Sequence, residues 1–391
     1  MSIDILSIEK EIEALAEHIQ RASLDRSSLI GAVREVLVGV GQEEMQDAVL
    51  RFQERQERAP WLVALPMQPP DTAIPSPAPP PDYTVVASDG SFIPPDRHSP
   101  VHFFLLNMGQ ATMHYGAEAY ADLSSRAQLY FRQSETHIRD ENGFDMPIEG
   151  NLLSWKMAVE EVAFLLDNAL GLDPPLLAVR DGSLIFWGLQ GESKEIQKEF
   201  LFPVLRTLDR FKEAGIPIVS YISYPGSRDV CNSLRVFLCP EDPLRCQCGN
   251  EKNRGLCDFL RSMVDRTLFQ GILNSGERSA VFSSSSGVLD LYGEHRIQFF
   301  YLHVGSEIAR VEAPRWVFET EGWLDFVHSV LVDQARRGNG YPPALMEAHE
   351  QAVVSMEERR MVMQLLESRL QATGMSLERS YKDRSKRIRG V

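Results

Sequence analysis

Apolar residues recur at helical spacing near both ends of the chain and at strand spacing between them. In residues 3–58, Ile8, Ile12, Leu15 and Ile19 stand four, three and four apart, and Glu9, Glu11, Glu13 and Glu17 lie off that stripe. The pattern predicts an N-terminal helical region packed on its own domain; an arm that contacts a partner is the alternative. Residues 66–81, PMQPPDTAIPSPAPPP, form a spacer. Proline fixes φ and removes donors, so extended polyproline II is expected there, neither helix nor sheet.

From Tyr83 the period changes to that of strands. Residues 84–88 read as a strand ending at Asp89-Gly90-Ser91, 101–108 as a second, and 111–115 as a third reached through a turn at Gly109. A helix over 151–170 leads to a short buried strand, 176–179, that ends at Asp181-Gly182-Ser183. A helix near 191–214, a strand over 217–223, a late hairpin over 296–304 and 308–317, and helices over 322–337 and 343–372 complete the chain. This alternation predicts the α/β class, with a mixed sheet flanked by helices. It also predicts an N-terminal helical region over 1–65, a linker over 66–82, a main domain over 83–375 and a tail over 376–391. No repeat of solenoid period is present.

Composition narrows the classes. The 391 residues are enough for a sizeable core, and 43% hydrophobic with 24% charged residues is ordinary globular composition. No apolar run approaches the ~20 residues of a membrane span, and the first residues do not read as a signal peptide, so a cytoplasmic protein is expected, with no membrane association. The net charge of -15 argues against coating nucleic acid by bulk charge, although a local basic groove can coexist with it. The tail 381–390, YKDRSKRIRG, is basic and is read as either a solvated end or a contact to DNA or a partner. Of five cysteines, Cys239, Cys246, Cys248 and Cys257 fall within 19 residues, in an insert over 239–257. Their spacing lacks a Cys-x2-Cys knuckle, so a reduced loop is favoured over a Zn²⁺ site. Ser283–Ser286 is not followed by Gly-Lys-Ser/Thr, so no Walker A loop is present, and any ATP site belongs to another protein.

Two strand ends carry the same tripeptide, VVASDGSF at 85–92 and LAVRDGSL at 177–184. A carboxylate at a strand end projects where α/β folds bind ligands. Glycine after it permits a tight turn or the close approach of a phosphate, and serine can donate or cap. One Asp-Gly-Ser is ordinary turn chemistry; two copies after buried runs point to paired carboxylates. Phosphodiester hydrolysis needs an activated water and a neutralised developing charge, which two divalent ions about 4 Å apart supply. Hard ions such as Mn²⁺ or Mg²⁺ take oxygen ligands, so Asp89 and Asp181 are candidate metal ligands. The helix before the second copy, SWKMAVEEVAFLLDNAL, offers a third carboxylate. Glu161 borders its apolar face and is preferred; Glu160 points nearly opposite and is the reserve. In NGYPPALMEAHEQAV (339–353), two prolines start a helix that carries His349 two turns on, able to bind a metal or move a proton.

VASDGSF, a helical Glu ahead of VRDGSL, and GYPPALMEAHE, in that order over 83–353, resemble the NurA family. The resemblance implies an RNase H-like fold for 83–375 and a Mn²⁺- or Mg²⁺-dependent deoxyribonuclease with a two-metal site. It implies action on single-stranded DNA and duplex ends, with 5′ to 3′ end resection. It also implies a homodimer docked on HerA, a hexameric ATP-driven translocase, in DNA repair or defence. Asp89 and Asp181 match the family's metal-binding aspartates, Glu161 or Glu160 its helical glutamate, and Tyr341 and His349 its C-terminal tyrosine and histidine, eight residues apart. Asp89, Glu161, Asp181 and His349 are the expected metal ligands, and Tyr341 orients a phosphate or a ligand. The cysteine insert departs from the family's pattern. The alternatives are a non-catalytic adaptor of a translocase, and another RNase H-like nuclease acting on RNA or junctions.

Overall fold

The computed structural model describes residues 5–54, 61–96, 102–140, 143–239 and 251–372. Cys246, Cys248 and the basic tail lie outside them. The chain divides into two compact units, one built from 1–76, 223–286 and 298–310, the other from 77–222, 287–297 and 311–391. Each unit gathers segments distant in sequence.

The larger unit is built on a mixed sheet with strands β1 (Tyr83–Ile93), β2 (Phe104–Tyr115), β3 (Tyr120–Tyr130), β4 (Leu176–Asp181) and β5 (Ile218–Ile222), in the order β5-β4-β1-β2-β3. β1–β2 and β2–β3 are antiparallel; β1–β4 and β4–β5 are parallel. Antiparallel neighbours need only short turns, whereas the parallel pairs take crossovers through α1 (Asn151–Ala169) and α2 (Lys194–Glu213). Val85, Val86 and Ala87, like Leu177, Ala178 and Val179, are buried on both faces, as near-continuous apolar runs require. Three C-terminal helices follow: α3 (Trp323–Arg337), α4 (Pro343–Ala352) and α5 (Met356–Ala372).

Two strand boundaries differ from expectation. β1 does not end at Asp89 but runs on to Ile93, because its antiparallel partner continues: Asp89 pairs with Gly109, Gly90 with Met108 and Ser91 with Asn107. Nor does the chain turn at Gly109; β2 is one strand of 12 residues. The glycine answers a packing demand. A Cβ there would stand 2.2 Å from the Ala348 carbonyl oxygen and 2.3 Å from the Ala352 nitrogen, both backbone atoms of α4. A Cβ on Gly90 would instead meet Met157 of α1. Successive strand residues point to opposite faces, so α1 covers one face of the sheet and α4 the other, with Asp89 on the α4 side.

The smaller unit holds the helices Ile5–Gly39 and Gln42–Glu54, separated at Val40-Gly41, within the stretch expected to be helical. Val33, Leu37 and Val40 pack with Leu234, Leu260, Phe282, Phe299 and Tyr301. Near the start of the long helix, Ile8, Ile12 and Leu15 are 36%, 53% and 57% exposed, so these three positions of the expected apolar stripe are not covered by their own unit; the fourth, Ile19, lies outside the described side chains. The proline-rich spacer also departs from polyproline II. Ala73–Pro75 pairs with Glu277–Ser279, because the two residues before Pro75 keep their backbone donors. No described helix is long and apolar enough to cross a membrane.

Candidate functional site

The register places the two Asp-Gly-Ser copies side by side. Ser88 pairs with Arg180 across β1 and β4, so Asp89 and Asp181 are the next residues on adjacent parallel strands and point to the same face. Their local geometry is also the same. Gly90 N–H donates to Asp89 Oδ1 at 2.8 Å, and Gly182 N–H donates to Asp181 Oδ1 at 2.8 Å. One oxygen of each carboxylate is thereby tethered to the backbone. At Gly182 the chain does turn, with φ of 76°, a conformation that favours glycine. Ser183 closes this turn. Its Oγ donates to buried Glu312 at 2.7 Å and accepts from Ile185 N–H and Trp187 Nε1–H.

His349 reaches Asp89 from α4. Its Nδ1 lies 2.7 Å from Asp89 Oδ2. A carboxylate oxygen accepts, so Nδ1 carries the hydrogen and the Nε2 lone pair is left for a cation or a proton. The His349 side chain is 61% exposed and Asp89 20%, so the pair stands at the rim of the site. Three contacts seat the helix that carries His349: the glycine contact at 109, Ser91 Oγ donating to the Ala352 carbonyl, and Asn107 Nδ2 donating to the same carbonyl at 2.9 Å. Carbonyls at a helix C-terminus lack intrahelical partners, which is why Ser91 and Asn107 grip there. Gly109→Ala should therefore push α4 off the sheet. We expect a loss of about 1–3 kcal/mol in denaturant unfolding, with activity falling further than stability alone explains. Unchanged unfolding would mean α4 yields freely.

Tyr341 hydrogen-bonds to the Asp181 side chain and meets Tyr221 edge-on, with ring centroids 5.6 Å apart. It leaves a tight turn in which Asn339 and Gly340 have φ of 57° and 114°. A Cβ on Gly338 would lie 1.8 Å from the Tyr341 carbonyl oxygen, so glycine is needed to bring Tyr341 round.

The two helical glutamates separate cleanly. Glu160 pairs with Lys156 at 2.8 Å, one turn back on the surface of α1. Glu161 is 2% exposed and receives Arg180 through both oxygens, Nε at 2.9 Å and Nη2 at 3.3 Å. Burial raises the Glu161 pKa to about 7 against the pull of Arg180, and the charges of Asp89 and Asp181 push it further up. Burial likewise raises Asp181, with Asp89 adding to it; the Gly182 amide, Tyr341 and Arg180 oppose. Asp89 and Asp181 lie on the α4 face, whereas Glu161 belongs to α1 on the other face and is held by Arg180; the like charges of the three are still felt by one another. Arg180 was not anticipated, although an arginine within a buried strand run must find an anion and so carried a signal.

Asp209, Glu294 and His295 also place ligand atoms within 4.8 Å of one another. They form a hydrogen-bond network, not a metal centre. Trp316 Nε1–H donates to His295 Nδ1 at 3.0 Å, so the ring hydrogen sits on Nε2 and is donated to Asp209 Oδ1 at 2.8 Å. Neither nitrogen has a free lone pair, and Lys212 holds Glu294. Of the four cysteines considered for Zn²⁺, Cys239 and Cys257 are free thiols, and the other two lie outside the described residues.

Asp89 and Asp181, side by side on one face of adjacent parallel strands, form a carboxylate donor set suited to hard divalent cations. The NurA domain model matches residues 83–354. The chain belongs to the NurA family, a family of nucleases. The crystal structure of the NurA nuclease from Sulfolobus solfataricus is similar over 94% of this chain and 98% of that one, at 15% identity and a TM-score of 0.50. Weaker likenesses are to Aquifex aeolicus Argonaute (9% identity, 72% of this chain and 29% of that one, TM-score 0.25) and to LC9-RNase H1, a type 1 RNase H with the type 2 active-site motif (14%, 39% and 67%, TM-score 0.21). No match was found among the curated proteins.

Proposed function

We propose that this protein is a divalent-metal-dependent deoxyribonuclease. It would cleave single-stranded DNA and resect duplex ends 5′ to 3′, as a cytoplasmic homodimer docked on a HerA-type hexameric translocase. The supporting observation is the side-by-side placement of Asp89 and Asp181 on adjacent parallel strands, with His349 hydrogen-bonded to Asp89 and with Glu161 near enough to feel both aspartate charges. Repair and defence are both served by such an activity. The nuclease domain is assigned to 83–375, after an N-terminal helical region and linker.

The donor set fits Mn²⁺ or Mg²⁺. It is rich in carboxylate oxygen, with one imidazole, and contains no thiolate. Carboxylates whose pKa values are pushed up by their neighbours are those a cation would relieve. Asp89, Asp181, Glu161 and His349 would hold the metal. When bound, a pair of such ions lowers the pKa of water and neutralises charge on a scissile phosphate. The chain's own residues do the rest. The Gly90 and Gly182 amides fix one oxygen of each aspartate. Asp89 orients the His349 ring, leaving Nε2 to hold or pass a proton at the rim. Tyr341 steadies Asp181 and stands where it can meet a phosphate oxygen. Arg180 keeps Glu161 in register, and since it uses two of about four lone-pair positions, the glutamate retains capacity to coordinate.

Digestion by the purified protein in Mn²⁺, against the same reaction in EDTA, tests this reading. Cleavage in Mn²⁺ alone is expected; none in either would favour a non-catalytic adaptor. Competition among RNA, single-stranded DNA and duplex ends checks the substrate.

The pH dependence has a defined sign. A carboxyl raised from about 4.5 to about 7 favours the folded chain fully below the lower value, and that contribution is lost as pH rises through the upper one. The cation-free protein should therefore lose stability between pH 4.5 and 7. Mn²⁺ takes the proton's place, so it should raise the melting temperature more at pH 8 than at pH 5.5. Equal shifts at both would count against a cation bound to this cluster.

A further inference from the structure

β3 is the last strand in the sheet order, and no described strand pairs with its outer edge. Its residues Tyr120 to Leu129 are all exposed; only Tyr130 is buried. An open edge presents unpaired N–H and C=O groups, and monomeric proteins blunt such edges with proline, lysine, bulges or short strands. β3 has none of these. Its sequence, YADLSSRAQLY, contains no proline, lysine or glycine, and all 11 residues pair with β2 in unbroken register. One face carries Ala121, Leu123, Ser125, Ala127 and Leu129, with the two leucines 40% and 42% exposed. The other carries Asp122, Ser124, Arg126 and Gln128.

The charges on that second face are self-complementary. Asp122 and Arg126 flank Ser124 at equal distances along the strand. When two antiparallel copies cross at Ser124, each Asp122 stands opposite the other copy's Arg126. No other centre of symmetry on the strand brings them together. The same register sets Ala121 opposite Ala127 and Leu123 opposite Ser125. Arg126 is already laid on the sheet surface, its guanidinium 4.6 Å from the centre of the Phe164 ring, so little side-chain freedom is lost on pairing.

We propose that β3 is the homodimer contact, pairing antiparallel with β3 of a second copy about Ser124 and joining the two sheets edge to edge. This rests on the homodimer in the proposed function and specifies its interface. An isologous contact of this kind closes on itself, consistent with a two-fold dimer.

Sedimentation equilibrium of the full chain tests it. Asp122→Arg sets arginine against arginine twice, and Arg126→Asp sets aspartate against aspartate twice. Each should raise the dimer dissociation constant by about tenfold. An equimolar mixture of the two variants should regain wild-type affinity as a heterodimer, a recovery that misfolding would not give. A dimeric wild type with both variants unchanged, or weakened variants that fail to recover when mixed, overturns the β3 pairing and leaves the homodimer standing. A wild type monomeric at all concentrations overturns both.

Discussion

Asp89→Ala should lower DNA cleavage in Mn²⁺ by about a thousandfold or more, with little loss of folded stability. Asp89 links the parts of the site. It adds negative charge beside Asp181 and Glu161, and it accepts the His349 ring hydrogen. In the proposed reading its loss removes a cation ligand and frees the imidazole together, and several kcal/mol of charge stabilisation correspond to that factor. The fold should tolerate the change, because the side chain lies at the rim and its removal relieves repulsion. The Asp181 and Glu161 carboxyls should then titrate at lower pH, which NMR of the side-chain carboxyls can follow. A variant that digests DNA at the wild-type rate would take Asp89 out of the chemistry. An inactive but unfolded variant would assign it to structure.

The second large effect is on stability. Arg180→Met should cost about 3–5 kcal/mol in denaturant unfolding, the range for removing one member of a buried ion pair. Arg180 and Glu161 are 9% and 3% exposed, and no water can replace the guanidinium at both carboxylate oxygens. The loss should be smallest at low pH, where Glu161 is neutral and needs no partner. Arg180→Met combined with Glu161→Leu should recover much of the stability, since an apolar pair leaves no buried charge. The double variant should remain inactive, because the third carboxylate is gone. A single Arg180→Met variant within about 1 kcal/mol of wild type would show that Glu161 is better solvated than its burial indicates.

The positions of the acidic residues were legible because strand periodicity is strong there. The apolar runs before Asp89 and Asp181 place both at comparable points on neighbouring strands. Helical phase alone separated Glu161 from Glu160, and in the structure the first faces Arg180 while the second pairs with surface Lys156. Gly109 was misread as a turn because glycine's two uses look alike in one dimension. Here it admits a helix backbone, and only the distant residues Ala348 and Ala352 reveal that. The burial of Glu312 beneath Ser183 was invisible for the same reason, with 129 residues between them. β3 carries a period-two alternation only in part, Ala121, Leu123, Ala127 and Leu129 against Asp122, Ser124, Arg126 and Gln128, with Ser125 interrupting the apolar side. It escaped notice because alanine, serine and aspartate are weak strand formers and no residue from Tyr120 to Leu129 is buried.

The most direct test of the acidic cluster is anomalous diffraction from crystals soaked in Mn²⁺, measured at the manganese edge. We predict one or two peaks against the Asp89 and Asp181 carboxylates, within reach of His349. An empty cleft, at a Mn²⁺ concentration at which the same preparation cuts DNA, would contradict the assignment.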